Sequence, residues 1–522
     1  MTLSKNRYFA FFIIAFIIIF HAINNYFVLA ASCFSNNPDA ITYFKGACRL
    51  LGAIKTNAHN IWELPLVTWK ACFDGMHTTV RSPFFYLLAL PVINMNMDMN
   101  WAIMSNMIYF CVLLFSVYGL GKELYDSRET GILAAFLISF FPGIFAMSRC
   151  YFRDFALTAC LALNAYLFMK LLKSKGRNIF IMFFLAAFSI FAGLLIKESY
   201  IYYLLLFPLF LLTTKEYGCK SNAVKIILAV ILGLAFSLIW YLNLDLRFIY
   251  AAWQRTVMGF ETSRDAMFYV KHLYTMQLMP LFFILFALSA MHYFIKKSAF
   301  LMITVILPLL IFSFSSANKD GRFILPLFIF IALAIAWAGR NIQVKWKNVT
   351  VASIIIFSFW QFFWVTYGDA FPPRKSRWQT DGLYGIARTP NYKKTASIIL
   401  NIIKTSRKPG VNPENASIII LDKENELYWA IDEVSAGSME NMFQVERHYP
   451  DFNCDDMVLT GQKIKEDVLD YDYVVCVRPA DFFTRNGNDY YRGFIRNKGR
   501  FVLIDSVVHS PEVLFDIYSR IP

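Results

Sequence analysis

Charged residues are scarce in this chain. They make up 16% of its 522 residues, whereas soluble domains carry about a quarter. Sequence signatures of common soluble enzymes are also missing, since the chain has no GxGxxG, P-loop or GxSxG motif. Its nine cysteines include no CxxC pair, so their spacing predicts no metal site. The sequence is compatible both with a Cys48–Cys72 disulfide and with free, buried cysteines.

Long apolar runs make up much of the chain. Hydrophobic residues reach 57% and the mean hydropathy is +0.47. A hydrocarbon core of about 30 Å needs about 20 apolar helical residues, and that pattern recurs about eleven times before residue 367. The sequence therefore predicts a polytopic α-helical membrane protein with about eleven transmembrane helices. The predicted spans are residues 8–30, 101–121, 130–148, 154–172, 179–196, 199–213, 223–243, 278–295, 299–315, 323–339 and 349–366.

The basic residues indicate an orientation. With a cytoplasmic N-terminus, the inner ends hold 16 Lys and Arg, and the short outer loops hold 9. This bias follows the positive-inside rule. The formal charge of +14 is thus assigned to helix orientation rather than to nucleic acid. We expect an integral cytoplasmic (inner) membrane protein, in contact with membrane lipid, whose C-terminal part is extracytoplasmic.

The chain is expected to contain two domains. Residues 1–369 form the membrane module, whose first outer loop covers residues 31–100. Residues 370–522 change character and contain short β-branched runs of the buried-strand type. Together with helical pieces, those runs predict a small extracytoplasmic domain of the α/β or α+β class. The predicted strands are Ala416–Leu421, Tyr473–Val477, Phe501–Val508 and Val513–Ile517.

Ionisable residues gather at the predicted outer helix ends, where a charge beside the membrane is costly and is usually kept for function. Asp39 could be a general base toward a hydroxyl, or only the N-cap of a helix that starts at Ala40. The remaining candidates are Arg81, Arg149, Arg153, Asp154, Lys197, Lys319 and Arg322.

Each of these cations also has a purely structural interpretation. The Arg149–Asp154 tip could be pinned by an Arg–Asp pair, and Lys197 could extend its amine to the membrane surface. Lys319 and Arg322 could belong to a solvated turn, and Arg81 could anchor an interfacial helix. Taken together, six cations at the outer ends favour a pocket for a phosphate, which arginine binds through paired hydrogen bonds.

The order of the motifs resembles a known family. Asp39 and Tyr43 follow the first helix, and Ser82-Pro83-Phe84-Phe85-Tyr86 ends the outer loop. Arg153-Asp154, Gly193 to Lys197, and Arg322-Phe323-Ile324-Leu325-Pro326 come later. Over about residues 8–340 this resembles the GT-C superfamily of integral-membrane glycosyltransferases, in its protein O-mannosyltransferase-like and aminoarabinose-transferase-like branch.

The resemblance implies an inverting transfer of a hexose or pentose from a polyprenyl-phosphate donor to an acceptor hydroxyl on the periplasmic or lumenal side. Asp39 matches the catalytic base, and Asp154 would be a second catalytic carboxylate. Arg81, Arg153, Lys197 and Arg322 match positions where the family has cations. These four, together with Arg149 and Lys319, would bind the donor phosphate, while Tyr43 and Tyr86 would line the sugar and acceptor pocket. The acceptor could be a glycan, a lipid or a protein. Many relatives have an acidic pair after the first helix, but Ala40 follows Asp39 here. The participation of a divalent cation therefore stays open, and the resemblance implies no other cofactor.

Other classes of function fit the sequence less well than a glycosyltransferase does. A lipid or polysaccharide transporter or flippase would place charges or broken helices near the bilayer midplane, whereas these spans are largely uncharged inside. A polysaccharide polymerase would carry its large loop later in the chain. A receptor-like scaffold would use the C-terminal tail but leave the outer cations without a role.

Overall fold

A computed structural model describes the chain in segments. They are residues 7–31, 38–57, 63, 67–68, 84–95, 99–214, 217–241, 265–295, 299–315, 319–341, 344–367, 398–399, 401–402, 405, 417–421, 444–447, 473–479, 501–510 and 513–520. The chain divides into two compact units. The first comprises Met1–Val28, Ala53–Ala89 and Ile103–Ile386, and the second comprises Leu29–Gly52, Leu90–Ala102 and Ala387–Pro522.

Helices account for most of the described chain up to residue 367. The first group is α1 (Arg7–Ala31), α2 (Pro38–Asn57), α3 (Phe84–Leu87), α4 (Leu90–Met95), α5 (Met99–Met104), α6 (Asn106–Tyr125), α7 (Arg128–Phe140), α8 (Pro142–Ser148), α9 (Arg153–Lys173) and α10 (Asn178–Leu194). The second group is α11 (Tyr200–Leu204), α12 (Leu206–Thr213), α13 (Lys220–Tyr241), α14 (Phe268–His272), α15 (Met279–Ile295), α16 (Ala299–Leu301), α17 (Leu307–Ser315), α18 (Phe328–Arg340) and α19 (Val344–Tyr367). Two π-helical turns, Leu273–Gln277 and Met302–Ile306, and a 3-10 segment, Gly321–Leu327, lie between them.

Six helical segments are long and apolar enough to cross a membrane. They are Tyr8–Leu29, Met99–Tyr125, Arg153–Lys173, Lys220–Ile239, Gly321–Arg340 and Trp346–Tyr367. A bent pair, α7 with α8, raises the number to as many as 7. Four shorter apolar segments occupy other predicted spans: Asn178–Leu194, Tyr200–Thr213, Met279–Tyr293 and Ala299–Phe314. The predicted α-helical membrane class is confirmed, and the count of about eleven crossings stays a prediction.

Burial separates central helices from peripheral ones. In both Arg153–Lys173 and Gly321–Arg340, 78% of the most apolar 18-residue window is buried, compared with 22% in Lys220–Ile239. The first two segments therefore lie inside the first unit, and α13 presents most of its surface outward. Because the exposed side chains of α13 include Ile227, Ile231 and Phe236, that surface is suited to acyl chains.

The predicted span 130–148 is not one straight helix. The structure bends it by 66° between α7 and α8, where Phe141 adopts an extended conformation and Pro142 opens α8. Proline has no amide hydrogen to continue the helical ladder, and it disfavours a helical residue before it. The break turns α8 and the tip that follows it, residues 149–152, away from the axis of α7.

Glycines let α6 and α7 come into close contact. A Cβ on Gly121 would lie 2.9 Å from the Cα of Gly131. A Cβ on Gly131 would overlap the backbone oxygen of Tyr118. Such small-residue contacts are a common way for membrane helices to pack.

A five-stranded sheet lies in the second unit. Its strands are β1 (Ser417–Leu421), β2 (Gln444–Arg447), β3 (Tyr473–Pro479), β4 (Phe501–Ser510) and β5 (Val513–Arg520), in the order β2-β1-β3-β5-β4. β1 pairs in parallel with β2 and β3, whereas β5 is antiparallel to β3 and β4. The four predicted strands are present. The short and partly charged β2 (QVER) gave no apolar signal.

Parts of the predicted domain organisation lie outside the described residues. The boundary near residue 369 is among them, so the division into 1–369 and 370–522 stays a prediction, as does the α/β class of the second domain. Within the first outer loop, the apolar residues 84–92 are divided between α3 and α4.

The contact between α6 and α7 predicts a difference between two glycines. Gly131→Ala should lower the free energy of unfolding by about 1–3 kcal/mol, because a backbone atom must move. Gly339→Ala is the matched control: its added Cβ would meet the Leu133 side chain at 3.5 Å, an ordinary contact, and alanine favours helix. Thermal unfolding in detergent would test this, and equal midpoints for the two variants would contradict the packing argument.

Candidate functional site

Charged side chains from three separate parts of the sequence meet at one end of the helices in the first unit. They come from the start of α9, from the loop between α10 and α11, and from the residues that begin the 3-10 segment. We call this group the Asp154 cluster. Its members are Arg153, Asp154, Lys197, Glu198, Asp320 and Arg322.

A buried ion pair lies at the centre of the Asp154 cluster. The Lys197 Nζ donates a hydrogen bond of 2.6 Å to Asp154 Oδ1, and the two side chains are only 13% and 6% exposed. Lys197 also lies over the ring of Phe323, with its Nζ 5.1 Å from the ring centre. Lys197 therefore does not extend into solvent. An ion pair this close and this buried is costly to break, because either partner alone would be a desolvated charge.

Arg153 lies beneath an exposed carboxylate. Its NH1 donates to the carbonyl oxygen of Ile196 at 3.4 Å and to Glu198 Oε2 at 3.5 Å. The Arg153 side chain is 6% exposed, whereas that of Glu198 is 56% exposed. Partial desolvation would raise the pKa of Glu198, but the charges of Arg153 and Lys197 outweigh it and hold that pKa below its usual value.

Arg322 completes the cation set. Its Nε lies 2.8 Å from Asp320 Oδ2, and Asp320 also accepts the Arg322 backbone N–H at the start of the 3-10 segment. The guanidinium stacks on Phe152, 4.7 Å from the ring centre. Charges on Lys197, Arg322 and Arg153 all act on Asp154. The hydroxyl of Tyr203 donates to the carbonyl of Phe323 and so ties α11 to the same segment.

The Asp154 cluster is balanced in charge. Each of its three cations is paired with one carboxylate: Lys197 with Asp154, Arg153 with Glu198, and Arg322 with Asp320. The sequence predicted a group rich in cations, and the structure does bring three of the six together. It adds Glu198 and Asp320, which the sequence analysis had not assigned to the site. The alternating signs in Lys197-Glu198 and Asp320-Gly321-Arg322 were the available signal.

Arg149 has a different set of partners. Its Nε donates to Asn25 Oδ1 at 3.0 Å, and both NH1 and NH2 lie 3.2 Å from the hydroxyl of Thr366. The side chain is fully buried and its guanidinium lies 4.9 Å from the centre of the Phe145 ring. Burial lowers the pKa of Arg149 to about 10, so it stays protonated at neutral pH. These contacts join α1, α8 and α19, and binding of phosphate by Arg149 stays a prediction.

Lys319 has a further set of contacts. Its Nζ donates to the backbone carbonyl of Asp265 at 2.7 Å and is almost fully buried. The Asp265 carboxylate accepts from Lys271 at 2.6 Å and from the backbone of Met267 at 2.9 Å. Lys319 thus fastens the residues before α14 to the chain that leads into the 3-10 segment.

The other predicted site residues are only partly covered by the structure. Arg81 lies outside the described residues. Asp39 is in the first turn of α2, which begins at Pro38 rather than Ala40, and its side chain is outside the described set. Tyr43 on α2 and Tyr86 on α3 are both buried, each 4% exposed. Among the described residues, no three His, Cys, Asp or Glu side chains are grouped to hold a metal ion.

A second ionic group lies at the other end of the same helices. Glu123, near the end of α6, accepts from Lys170 at 2.6 Å and pairs with Lys173 at 3.5 Å. Glu129 pairs with Lys347 at 2.7 Å. Between Asp154 and Lys170, α9 carries no charged residue. The 21 residues of α9 span about 32 Å. The two charged ends are therefore about a hydrocarbon thickness apart.

Comparisons with known proteins agree with this architecture. Residues 80–241 match the family model of dolichyl-phosphate-mannose-protein mannosyltransferases. A comparison with curated protein sequences finds no match.

Solved structures with a similar fold include ArnT from Cupriavidus metallidurans. The ArnT complex with undecaprenyl phosphate gives a TM-score of 0.59 at 10% identity, with 96% of this chain and 97% of that chain covered. ArnT in the apo state gives a TM-score of 0.57 at 9% identity, with 97% of each chain covered. The Archaeoglobus fulgidus oligosaccharyltransferase complex with Zn and sulfate gives a TM-score of 0.51 at 12% identity. The match covers 88% of this chain and 67% of that chain. The predicted resemblance to GT-C glycosyltransferases is confirmed at the level of the fold.

The buried ion pair predicts a non-additive mutation cycle. Lys197→Met should lower the free energy of unfolding by about 3 kcal/mol, because it leaves the Asp154 carboxylate buried without its ammonium. The double variant Asp154→Asn, Lys197→Met should lose less than Lys197→Met alone, because no uncompensated charge remains.

Lys170→Met is the matched control for this cycle. It removes a lysine that also lies 2.6 Å from a carboxylate, but Glu123 keeps Lys173 nearby, so the loss should be smaller. Thermal or denaturant unfolding in detergent measures Asp154→Asn, Lys197→Met, the double variant and Lys170→Met. Additive effects in the cycle would show that Asp154 and Lys197 do not stabilise one another.

Proposed function

We propose that this protein is a membrane glycosyltransferase that transfers a sugar from a polyprenyl-phosphate donor to an acceptor hydroxyl. The observation that carries the proposal is the Asp154 cluster: buried cations at the end of apolar helices, in a chain with the fold of ArnT. The family model that matches residues 80–241 describes enzymes that use a lipid-phosphate sugar. The ArnT structure with undecaprenyl phosphate supports a polyprenyl-phosphate partner.

The location of the cluster suits such a donor. A polyprenyl chain stays among lipid tails, so its phosphate must be bound where helices end at the membrane surface. The effective dielectric constant there is lower than in water, which strengthens the attraction between a phosphate and a nearby cation. Arg153, Lys197 and Arg322 supply three cations at such a position.

The proposed reaction is a direct displacement at the anomeric carbon of the sugar. The acceptor oxygen forms a bond to that carbon while the bond to the phosphate oxygen breaks, and the configuration inverts. Asp39 takes the proton of the acceptor hydroxyl, and the leaving lipid phosphate keeps the electron pair of the broken bond. Cations lower the barrier because they stabilise negative charge that grows on the leaving oxygen.

The remaining residues follow from this scheme. Arg153 and Arg322 face the phosphate together with Lys197, and Asp154 holds Lys197 in place. Arg81, Arg149 and Lys319 stay assigned to the donor phosphate, and Tyr43 and Tyr86 stay assigned to the sugar and acceptor. The acceptor is a glycan, a lipid or a protein. The Asp154 end faces the extracytoplasmic side, and the Glu123 end faces the cytoplasm, in keeping with the larger number of basic residues there.

Removing the base should stop the reaction without unfolding the protein. Asp39→Asn should reduce sugar transfer about 10²–10⁴-fold, the usual contribution of a general base. The measurement is transfer of radiolabelled sugar from a polyprenyl phosphate in membranes that contain equal amounts of each variant. Normal turnover in Asp39→Asn would remove this residue from the mechanism.

Asp126→Asn is the matched control for the base. Asp126 is an exposed aspartate between α6 and α7, at the Glu123 end, with a left-handed φ of 47°. Asparagine tolerates that backbone conformation as well as aspartate does. Its transfer rate should equal that of the unaltered protein.

The orientation can be tested by thiol labelling. A cysteine at Asp126 should be protected from a membrane-impermeant maleimide in intact spheroplasts, and a cysteine at Glu198 should react. Each variant is made in a background in which all nine native cysteines are replaced by Ser, because those of the first outer loop and of residues 370–522 are expected on the extracytoplasmic side. The reverse pattern would show that the Asp154 end is cytoplasmic.

A further inference from the structure

The three ion pairs of the Asp154 cluster differ in how easily they can open. Asp154 and Lys197 are both nearly buried and lie 2.6 Å apart. The Asp320 carboxylate lies 2.8 Å from Arg322 Nε and also accepts the Arg322 backbone N–H. Arg153 and Glu198 are 3.5 Å apart and the Glu198 side chain is 56% exposed. Charge-assisted hydrogen bonds are usually about 2.7–2.9 Å long, so the Arg153–Glu198 pair is the loosest.

The loop that carries Glu198 is fixed by its backbone rather than by that side chain. The amides of Ile196 and Lys197 both donate to the Gly193 carbonyl, each at 3.1 Å, and the Tyr200 amide donates to the Lys197 carbonyl at 3.0 Å. The carbonyl of Glu198 accepts from Ile201 at 3.3 Å. The carboxylate can therefore leave Arg153 by a side-chain rotation, and water can solvate it at once.

Unlike Glu198, Arg153 has a side chain that is buried and held by the protein. Its guanidinium is buried, and the Ile196 carbonyl holds NH1 from the protein side. Among the contacts described, the exposed carboxylate of Glu198 lies on the same NH1 atom. When Glu198 rotates away, NH1 is left facing the position that the carboxylate had filled. An oxygen of another anion could take that position and make the same charge-assisted contact.

We propose that the Glu198 carboxylate occupies an anion-binding position on Arg153 and is displaced when a phosphate-bearing ligand binds there. This inference rests on the proposed function, and it identifies Arg153 as the cation of the cluster that exchanges its partner. Glu198 is thus an internal competitor that sets the affinity of the site for its anion, whereas Asp154 keeps Lys197 throughout.

Neutralising Glu198 should tighten binding of the anion. Glu198→Gln keeps the shape of the side chain and a carbonyl oxygen but removes the charge. Undecaprenyl phosphate, titrated against the full chain in nanodiscs of neutral lipid, should bind about two- to fivefold tighter, the range that an exposed ion pair can contribute. The gain should shrink at high salt, because exposed charges are screened. In the background of Arg153→Gln, Glu198→Gln should produce no gain.

Glu129→Gln is the matched control. Glu129 is 51% exposed and pairs with Lys347 at 2.7 Å, at the Glu123 end, so this variant changes the net charge by the same amount. It should bind undecaprenyl phosphate as the unaltered protein does. An affinity of Glu198→Gln equal to or weaker than that of the unaltered protein, or an equal gain in Glu129→Gln, would overturn the inference.

A second probe separates this inference from the proposed function. If the unaltered protein binds undecaprenyl phosphate but Glu198→Gln gives no gain, the inference is wrong and the function stands. If neither form binds the lipid phosphate, the proposed function fails. The inference about Glu198 is then tested by titrating both forms with inorganic phosphate. Tighter binding of inorganic phosphate by Glu198→Gln would support the inference, and unchanged binding would overturn it.

Discussion

The Asp154–Lys197 ion pair connects two helical hairpins that are separate in the sequence. Asp154 opens α9, and Lys197 follows α10, 43 residues later along the chain. Their side chains are almost fully removed from solvent, so neither charge is stable without the other. Phe323 lies over Lys197, and Arg322 adds its charge beside Asp154. The start of α9 and the loop between α10 and α11 are thus joined beside the 3-10 segment by one buried contact, to which the Arg153–Ile196 and Tyr203–Phe323 hydrogen bonds add.

Much of the architecture was predictable because lipid imposes a strict requirement on a spanning segment. Hydrocarbon demands continuous apolar helices of a set length, and every predicted segment overlaps a helix of the described chain. What the sequence could not indicate was local backbone geometry: the 66° bend at Pro142, the π-helical turns, and the division of 199–213 into α11 and α12. Hydropathy records neither the effect of Pro142 on the backbone before it nor the packing of side chains from neighbouring helices. The strand β2 was missed because its four residues, Gln444–Arg447, carry two charges.

For the candidate site, the sequence located the cations but not their partners. Arg153, Lys197 and Arg322 were predicted as site residues because a charge at a helix end beside the membrane is costly and is usually kept for function. Their meeting requires α9, α10 and the 3-10 segment to be neighbours, which single-chain patterns cannot specify. Glu198 and Asp320 were not among the predicted site residues, although each balances one cation. Arg149 and Lys319 were grouped with the others by position along the chain, whereas the structure gives them partners on α1, α19 and the segment before α14.

The spacing of the central ion pair also bears on how the protein is assembled. The hairpin α8–α9 emerges from the ribosome before the hairpin α10–α11, so Asp154 is synthesised ahead of Lys197. During that interval its carboxylate must remain with water or headgroups, because its ammonium has not yet been made. The earlier hairpin can settle at its final depth only after the later one arrives beside it. Maturation of this end of the bundle is therefore a late event that requires both hairpins, and a chain truncated before Lys197 would expose an uncompensated acid to quality control.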